Sequence, residues 1–123
     1  MDTAIAMAKH LLDVAEIDFD NCGRVRQAVV GTFVFGMVNA YGMSARHTPQ
    51  EIAEVAIQVF ENVLHYTPEA AGEGVQQCIE ATRPSGHETM NAIMHRGIDG
   101  HRQYLASDSI GLKENINGVL ARF

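Results

Sequence analysis

The sequence predicts an all-α fold, a single helical domain over residues 1–123 with about five to six helices. Apolar residues recur every three to four positions along most of the chain, which is the spacing of one face of an α-helix. Two segments, at Thr48 and Thr67, begin with a threonine followed by a proline, as helix starts often do. The turn-forming pairs at 99–100 and 117–118 lie within helical spacing rather than between alternating strands, so no β-hairpin is predicted.

The composition excludes an intrinsically disordered chain, because 46% of the residues are hydrophobic and the net charge is only −6. A chain of 123 residues can bury roughly two-thirds of its unfolded surface, so it needs no disulfide or metal to fold. Cys22 and Cys78 could pair, but we favour free, buried thiols in a reducing compartment. The first residues lack a basic region followed by an apolar run, so we expect a cytoplasmic protein without a secretory signal.

The first two helices are predicted over residues 3–16 and 24–41, separated by an acidic, turn-forming stretch at 18–23. The run 29–38 is rich in β-branched and aromatic residues, so a strand stays open there. A helix is favoured because the helical spacing continues past that run. The uncharged stretch 27–45 is diluted by polar residues and glycines, which favours a buried central helix over a membrane span.

The third and fourth helices have the clearest start signals. Thr48-Pro49-Gln50-Glu51 places an N-cap, a proline at the first helical position and a glutamate at the third. This helix is predicted to reach residue 65. Thr67-Pro68-Glu69 repeats the cap and the proline, and the fourth helix is predicted to end near Arg83, before Pro84.

The fifth and sixth helices are predicted over residues 86–106 and 110–122. Ser85 is the predicted cap of the fifth helix, and Asp108 or Ser109 is that of the sixth. The apolar sides of the helices together predict the buried core. We expect these core residues: Phe33, Met37, Val55, Val59, Phe60, Val63, Ile79, Ile93, Met94 and Ile98.

The acidic residues are concentrated in the middle of the chain. Between Arg46 and Arg83 there are six glutamates and no Lys or Arg, whereas the rest of the chain has nine acids and nine bases. The acidic balance argues against binding to nucleic acid or to an anionic membrane. An exposed helix usually mixes charges of both signs, so we interpret the segment as a docking surface for a basic partner; a merely solvated helix face is the alternative. The predicted partner-binding residues are Glu51, Glu54, Glu61, Glu69, Glu73, Glu80 and Tyr66.

No motif predicts catalysis, a cofactor or a metal site. The six histidines lack the spacings of di-iron bundles and zinc proteases, and those of the fifth helix lie two or more turns apart. The serines lie at predicted caps or loops, without a nucleophile motif. The alternative interpretation is a helical small-ligand-binding or regulatory module, with a pocket between the second and fifth helices lined by histidines and by Met37, Met90 and Met94.

Three features together resemble a known family: one central stretch, the helix start at residues 48–51 and the acidic middle. The central stretch is Gly31-Thr32-Phe33-Val34-Phe35-Gly36-Met37-Val38-Asn39-Ala40-Tyr41-Gly42. They resemble the small all-α immunity proteins of bacterial polymorphic toxin systems, in particular the group known as immunity protein 48, over about residues 24–105. The resemblance implies a cytosolic, non-enzymatic monomer or homodimer that binds a cognate toxin domain and occludes its active or substrate-binding surface. A basic toxin anchored near Tyr66 or Tyr104 is the expected partner.

Overall fold

Six α-helices and one short 3-10 helix account for most of residues 2–123, the part of the chain that the structure, a computed structural model, describes. No strand occurs in that range, so the all-α prediction is confirmed. The 3-10 helix, Phe19–Asn21, lies in the predicted turn after the first helix. The α-helices are α1 (Asp2–Val14), α2 (Arg24–Ser44), α3 (Pro49–Asn62), α4 (Pro68–Ala81), α5 (Glu88–Leu105) and α6 (Ser109–Leu120).

The α2 helix is the centre of the bundle. Every residue from 29 to 38 is buried, on all sides of the helix. This explains why the sequence there resembles a strand: a helix surrounded by neighbours is apolar all round and loses its amphipathic pattern. Val25 continues the helical spacing of apolar residues along α2, but it is 61% exposed because it precedes the part of α2 that its neighbours cover. None of the helices in the described range is long and apolar enough to cross a membrane.

The most extensive helix–helix contact joins α2 to α5, and glycines make it close. A Cβ atom at Gly36 would lie 2.2 Å from the carbonyl oxygen of Met94, and one at Gly97 would lie 2.2 Å from that of Phe33. The two backbones therefore touch where neither helix has a side chain. Tyr41, near the end of α2, lies 6.4 Å from His101 near the end of α5, so the two helices run in the same direction.

The α3 helix returns the chain along α2. Ile52 lies against Gly42 at the end of α2, and Phe60 lies against Gly31 near its start. The α4 helix then packs against α3 and the first half of α2, and leads to the beginning of α5. At the other side of α5, the Nε of Arg96 donates to Oδ1 of the buried Asn115 at 2.7 Å, which holds α6 antiparallel to α5.

The predicted core is largely correct. Eight of the ten expected residues are buried, and the two exceptions are Ile79 and Ile98, which are half-buried. Successive helical residues are turned by about 100°. Ile98 follows Gly97, which faces α2, and Ile79 follows the buried Cys78. Both side chains are therefore turned to the flank of the packed face.

The predicted helix starts at Thr48 and Thr67 are confirmed. The Thr48 side chain accepts a hydrogen bond from the Glu51 N–H at 3.1 Å, and the Thr48 N–H donates to the Glu51 carboxylate at 2.8 Å. Thr67 accepts from the Ala70 N–H at 3.2 Å. Asp108 caps α6 by accepting from the Gly111 N–H at 2.9 Å. Local side-chain chemistry therefore sets where these helices begin.

Several predicted helix ends differ from the structure by two or three residues, and two of these differences have a clear local cause. The fifth helix begins at Glu88, capped by Nδ1 of His87 rather than by Ser85, because a hydrogen-bonded turn first closes from the Gly86 N–H to the Arg83 carbonyl. The third helix ends at Asn62 rather than 65. His65 adopts a positive φ of 60°, and the next N–H bonds back to the Phe60 carbonyl, which stops the helix.

A methyl group at Gly97 should destabilise the fold, because it meets backbone rather than a movable side chain. We expect Gly97→Ala to lower the free energy of unfolding by about 3 kcal/mol, at the upper end of the usual range for overpacking. Gly72→Ala in α4 is the control, since nothing lies within 4 Å of a Cβ there, and it should raise stability by about 0.5–1 kcal/mol. Denaturant unfolding measures both, and equal effects would contradict the close helix contact.

Loss of the α3 cap should have a smaller, local cost. We expect Thr48→Ala to lower the free energy of unfolding by about 1 kcal/mol, because the first-turn N–H of Glu51 loses its acceptor. Thr89→Ala, at an exposed position of α5, is the comparison and should change stability by less than about 0.5 kcal/mol. An unchanged melting curve for Thr48→Ala would show that this cap does not stabilise α3.

Candidate functional site

The six glutamates of the middle segment lie on α3 and α4, and we call them the acidic surface. Five of the six side chains are exposed and Glu61 is half-buried. No Lys or Arg occurs in residues 47–82, so no base of the same segment neutralises them. The members are Glu51, Glu54, Glu61, Glu69, Glu73 and Glu80.

Two members of the acidic surface have partners within the chain. The Glu51 carboxylate is part of the α3 cap, and its hydrogen bonds from the Thr48 backbone and side chain hold the pKa of Glu51 below its usual range. Glu80 accepts a hydrogen bond of 3.4 Å from the side chain of Gln76. The exposed position of Glu51 is therefore explained by its role in the α3 cap, without any role in partner binding.

Tyr66 is half-buried in an aromatic cluster rather than standing free on the surface. Its ring lies 5.3 Å from that of Phe60 and 6.0 Å from that of Phe19. Burial raises the pKa of the Tyr66 hydroxyl. Tyr104, the other predicted anchor, lies elsewhere, with its ring 5.5 Å from that of His10 on α1. Only Tyr66 is therefore placed near the acidic helices.

An apolar groove of about 430 Å³ lies between α2 and α4, and we call it the α2–α4 groove. The rings of Phe60 and Tyr66 line it, and Met90 and Ile93 of α5 line one end. Glu73 lies on its α4 wall. Of the seven predicted partner-binding residues, the groove thus brings together Tyr66 and Glu73, whereas the other five do not line it.

The groove differs from the ligand pocket that the sequence suggested. It does involve the first half of α2 and the start of α5, and Met90 lines it. Met37 and Met94, however, are buried in the core, and no histidine is among its lining residues in the described chain. Sequence reasoning also missed its apolar edge. The one available signal in the sequence was Val25, an apolar residue in helical register between Arg24 and Arg26.

The histidines lie in separate small clusters. His101 is buried in α5, and Tyr41 lies between it and His47, with ring distances of 6.4 and 5.8 Å. Nδ1 of His47 is buried and has no hydrogen-bond partner among the described residues. Within residues 2–123, no group of three or more His, Cys, Asp or Glu side chains is arranged to hold a metal ion. The arrangement is that of aromatic packing.

Neither cysteine has the surroundings of a nucleophile. Both are free; Cys78 is buried, and Cys22 is only half-buried, contrary to the expectation that both are buried. Burial raises the pKa of Cys78 to about 11 and also raises that of Cys22. A thiolate is therefore disfavoured at both positions near neutral pH.

Comparison with known protein families gives a match over the full chain. The sequence model of the family described as Imm48, Immunity protein 48, matches residues 1–123. No curated protein and no solved structure matches the chain. The match extends beyond residues 24–105, where the sequence features resembled this family, to the full chain.

Burial of His101 should make stability depend on pH. Burial lowers its pKa below the usual 6.5, so the unfolded chain binds a proton at a pH where the folded protein does not. Stability should therefore fall as the pH is lowered through about 6.5. We expect His101→Gln to flatten the pH dependence of the unfolding free energy between about pH 5 and 7.5, whereas His95→Gln, at an exposed position of the same helix, should not. Identical slopes for both variants would exclude His101 as the source.

Proposed function

The chain belongs to the immunity protein 48 family, and on that premise we propose that it binds a cognate bacterial toxin domain and occludes the toxin's active or substrate-binding surface. Family membership implies toxin neutralisation. The proposed mechanism is binding alone, in the cytoplasm, by a monomer or homodimer. No covalent chemistry is required of this chain.

The observation that carries the mechanism is the acidic surface. Exposed glutamates on α3 and α4, in a segment without Lys or Arg, form a field that attracts a positively charged partner. Such a field raises the rate of encounter more than it raises the strength of the final complex. We therefore expect the toxin surface that docks here to be basic.

The acids of this surface differ in whether they also have a structural role within the chain. The acids of α4, Glu69, Glu73 and Glu80, are all exposed and have no role in a helix cap. Glu51 is held by its own cap, which is a reason to expect a smaller contribution from it. Surface charges add little to folding, so their effect on binding can be measured without loss of the fold.

We expect the triple variant Glu69→Lys, Glu73→Lys and Glu80→Lys to stay within about 1 kcal/mol of the wild-type unfolding free energy. Its rate of association with the cognate toxin domain, inactivated by substitution, should fall, and the loss should shrink as salt rises. Protection of cells that express the active toxin should fall in parallel. Stopped-flow or surface-binding kinetics at several salt concentrations measure the rates.

The matched control reverses three exposed acids outside the acidic surface, Asp13, Glu16 and Glu114, to Lys. It changes the net charge by the same amount but leaves α4 intact. If both triple variants lose the same association rate, the overall charge matters and the acidic surface does not. If neither loses rate or protection, the toxin docks elsewhere.

A further inference from the structure

We propose that the α2–α4 groove receives one large apolar side chain that projects from a basic segment of the cognate toxin. This inference rests on the proposed function and names the contact that holds the complex together. The groove and the acidic surface meet at Glu73, which belongs to both. A single segment of the partner can therefore engage the two together.

Two glycines bring α2 and α4 close to the aromatic rings that line the groove. A Cβ atom at Gly31 would lie 3.7 Å from the Phe60 ring and 3.6 Å from the Tyr66 hydroxyl oxygen. A Cβ atom at Gly74 would lie 3.2 Å from the Phe60 ring. Because neither residue has a side chain, α2 and α4 pack directly against the buried Phe60 ring, whereas the half-buried Tyr66 keeps part of its surface open to the groove.

The edge of the groove is apolar and exposed. Val25 on α2 is 61% exposed, Phe123 is 47% exposed, and both line the groove. Ala28, one turn after Val25, is also exposed and adds no bulk. Apolar surface of this kind gains free energy when a partner removes it from water. Such pockets, filled by an anchor and surrounded by a rim, are where binding energy concentrates in protein interfaces.

The charge around the groove specifies the chemistry of the partner. No Lys, Arg or His lines it among the described residues, and Glu73 is its only charged lining residue there. Three bases adjoin its exposed edge in the sequence, Arg24, Arg26 and Arg122, but none of them lines it. Arg26 lines a different cavity beside Cys22, and Arg122 lines one beside Thr89. An apolar side chain that enters beside α4 therefore meets a negative wall, which favours neighbouring Lys or Arg on the partner.

Two other occupants fit less well. A second copy of this chain would bring a molecule with a net charge of −6 against the acidic surface of the first. A small molecule is usually oriented by several converging polar groups, whereas most of the surface that lines this groove is apolar. The toxin, which the acidic surface already attracts, is the occupant that both features favour.

The test blocks the groove without changing charge. Ala28→Trp places an indole at its exposed wall, and Ala6→Trp, on the exposed face of α1, is the matched control. The probe is the cognate toxin domain, inactivated by substitution as in the charge-reversal test. We expect Ala28→Trp to raise the dissociation constant at least about tenfold, mainly through faster dissociation and to the same extent at low and high salt. Ala6→Trp should bind as the wild type does.

A second pair removes an apolar contact instead of adding bulk. Val25→Ser should weaken binding, whereas Ile110→Ser, at an equally exposed apolar position of α6, should not. All four positions are exposed, so circular dichroism and denaturant unfolding should show the wild-type fold for each variant. If Ala28→Trp fails to fold, the comparison of Val25→Ser with Ile110→Ser decides.

The outcomes separate this inference from the proposed function. If the wild type binds the toxin and both Ala28→Trp and Val25→Ser bind it with unchanged affinity, the groove is not the anchor site. The proposal of toxin neutralisation then still holds. Absence of wild-type binding to the toxin overturns both. A wild-type dimer that Ala28→Trp dissociates, with toxin affinity unchanged, assigns the groove to a second copy and overturns the inference.

Discussion

The rest of the structure depends on the close contact between the backbones of α2 and α5. Gly36 and Gly97 remove the side chains that would otherwise hold the two helices apart. With α5 this near, residues 29–38 of α2 can be covered on every side. Since the helices run in the same direction, the chain that joins them has to return to the beginning of α2. The α3 helix makes that return, and α4 ends beside the start of α5.

The path of α3 and α4 also determines where the acidic surface lies. The segment from Arg46 to Arg83 forms α3 and α4, so all six of its glutamates are carried on the helices that lead back along α2. The α4 helix then presents Glu73 outward beside a groove that Phe60 of α3 also lines. Charge and apolar surface are adjacent because Glu73 is followed by Gly74, which lies against the Phe60 ring. The packing of the central helix thus places the features that the proposed function uses.

How far the sequence predicts this structure depends on whether a feature is local. The caps at Thr48, Thr67 and Asp108 satisfy N–H groups three residues away, so the sequence alone locates those helix starts. The partial exposure of Ile98 and the exposure of Val25 depend on which helix lies alongside. At both positions, helical spacing alone predicts the wrong degree of burial. The acidic surface was visible as a run without bases. The groove was not, because its lining combines residues of separate helices that only the packing brings together.

The acidic surface and the α2–α4 groove differ in physical role, and that difference explains why the proposed complex needs both. Charges on exposed side chains act at a distance and are screened by salt, so they favour encounter but contribute little to a lasting complex. An apolar groove acts only on contact, but the free energy it gains on burial slows dissociation. In this chain, Glu73 and Gly74 are consecutive residues of α4, the first supplying the negative charge and the second part of the apolar lining beside it. A partner attracted by the charge therefore arrives at the position where an apolar side chain can be held.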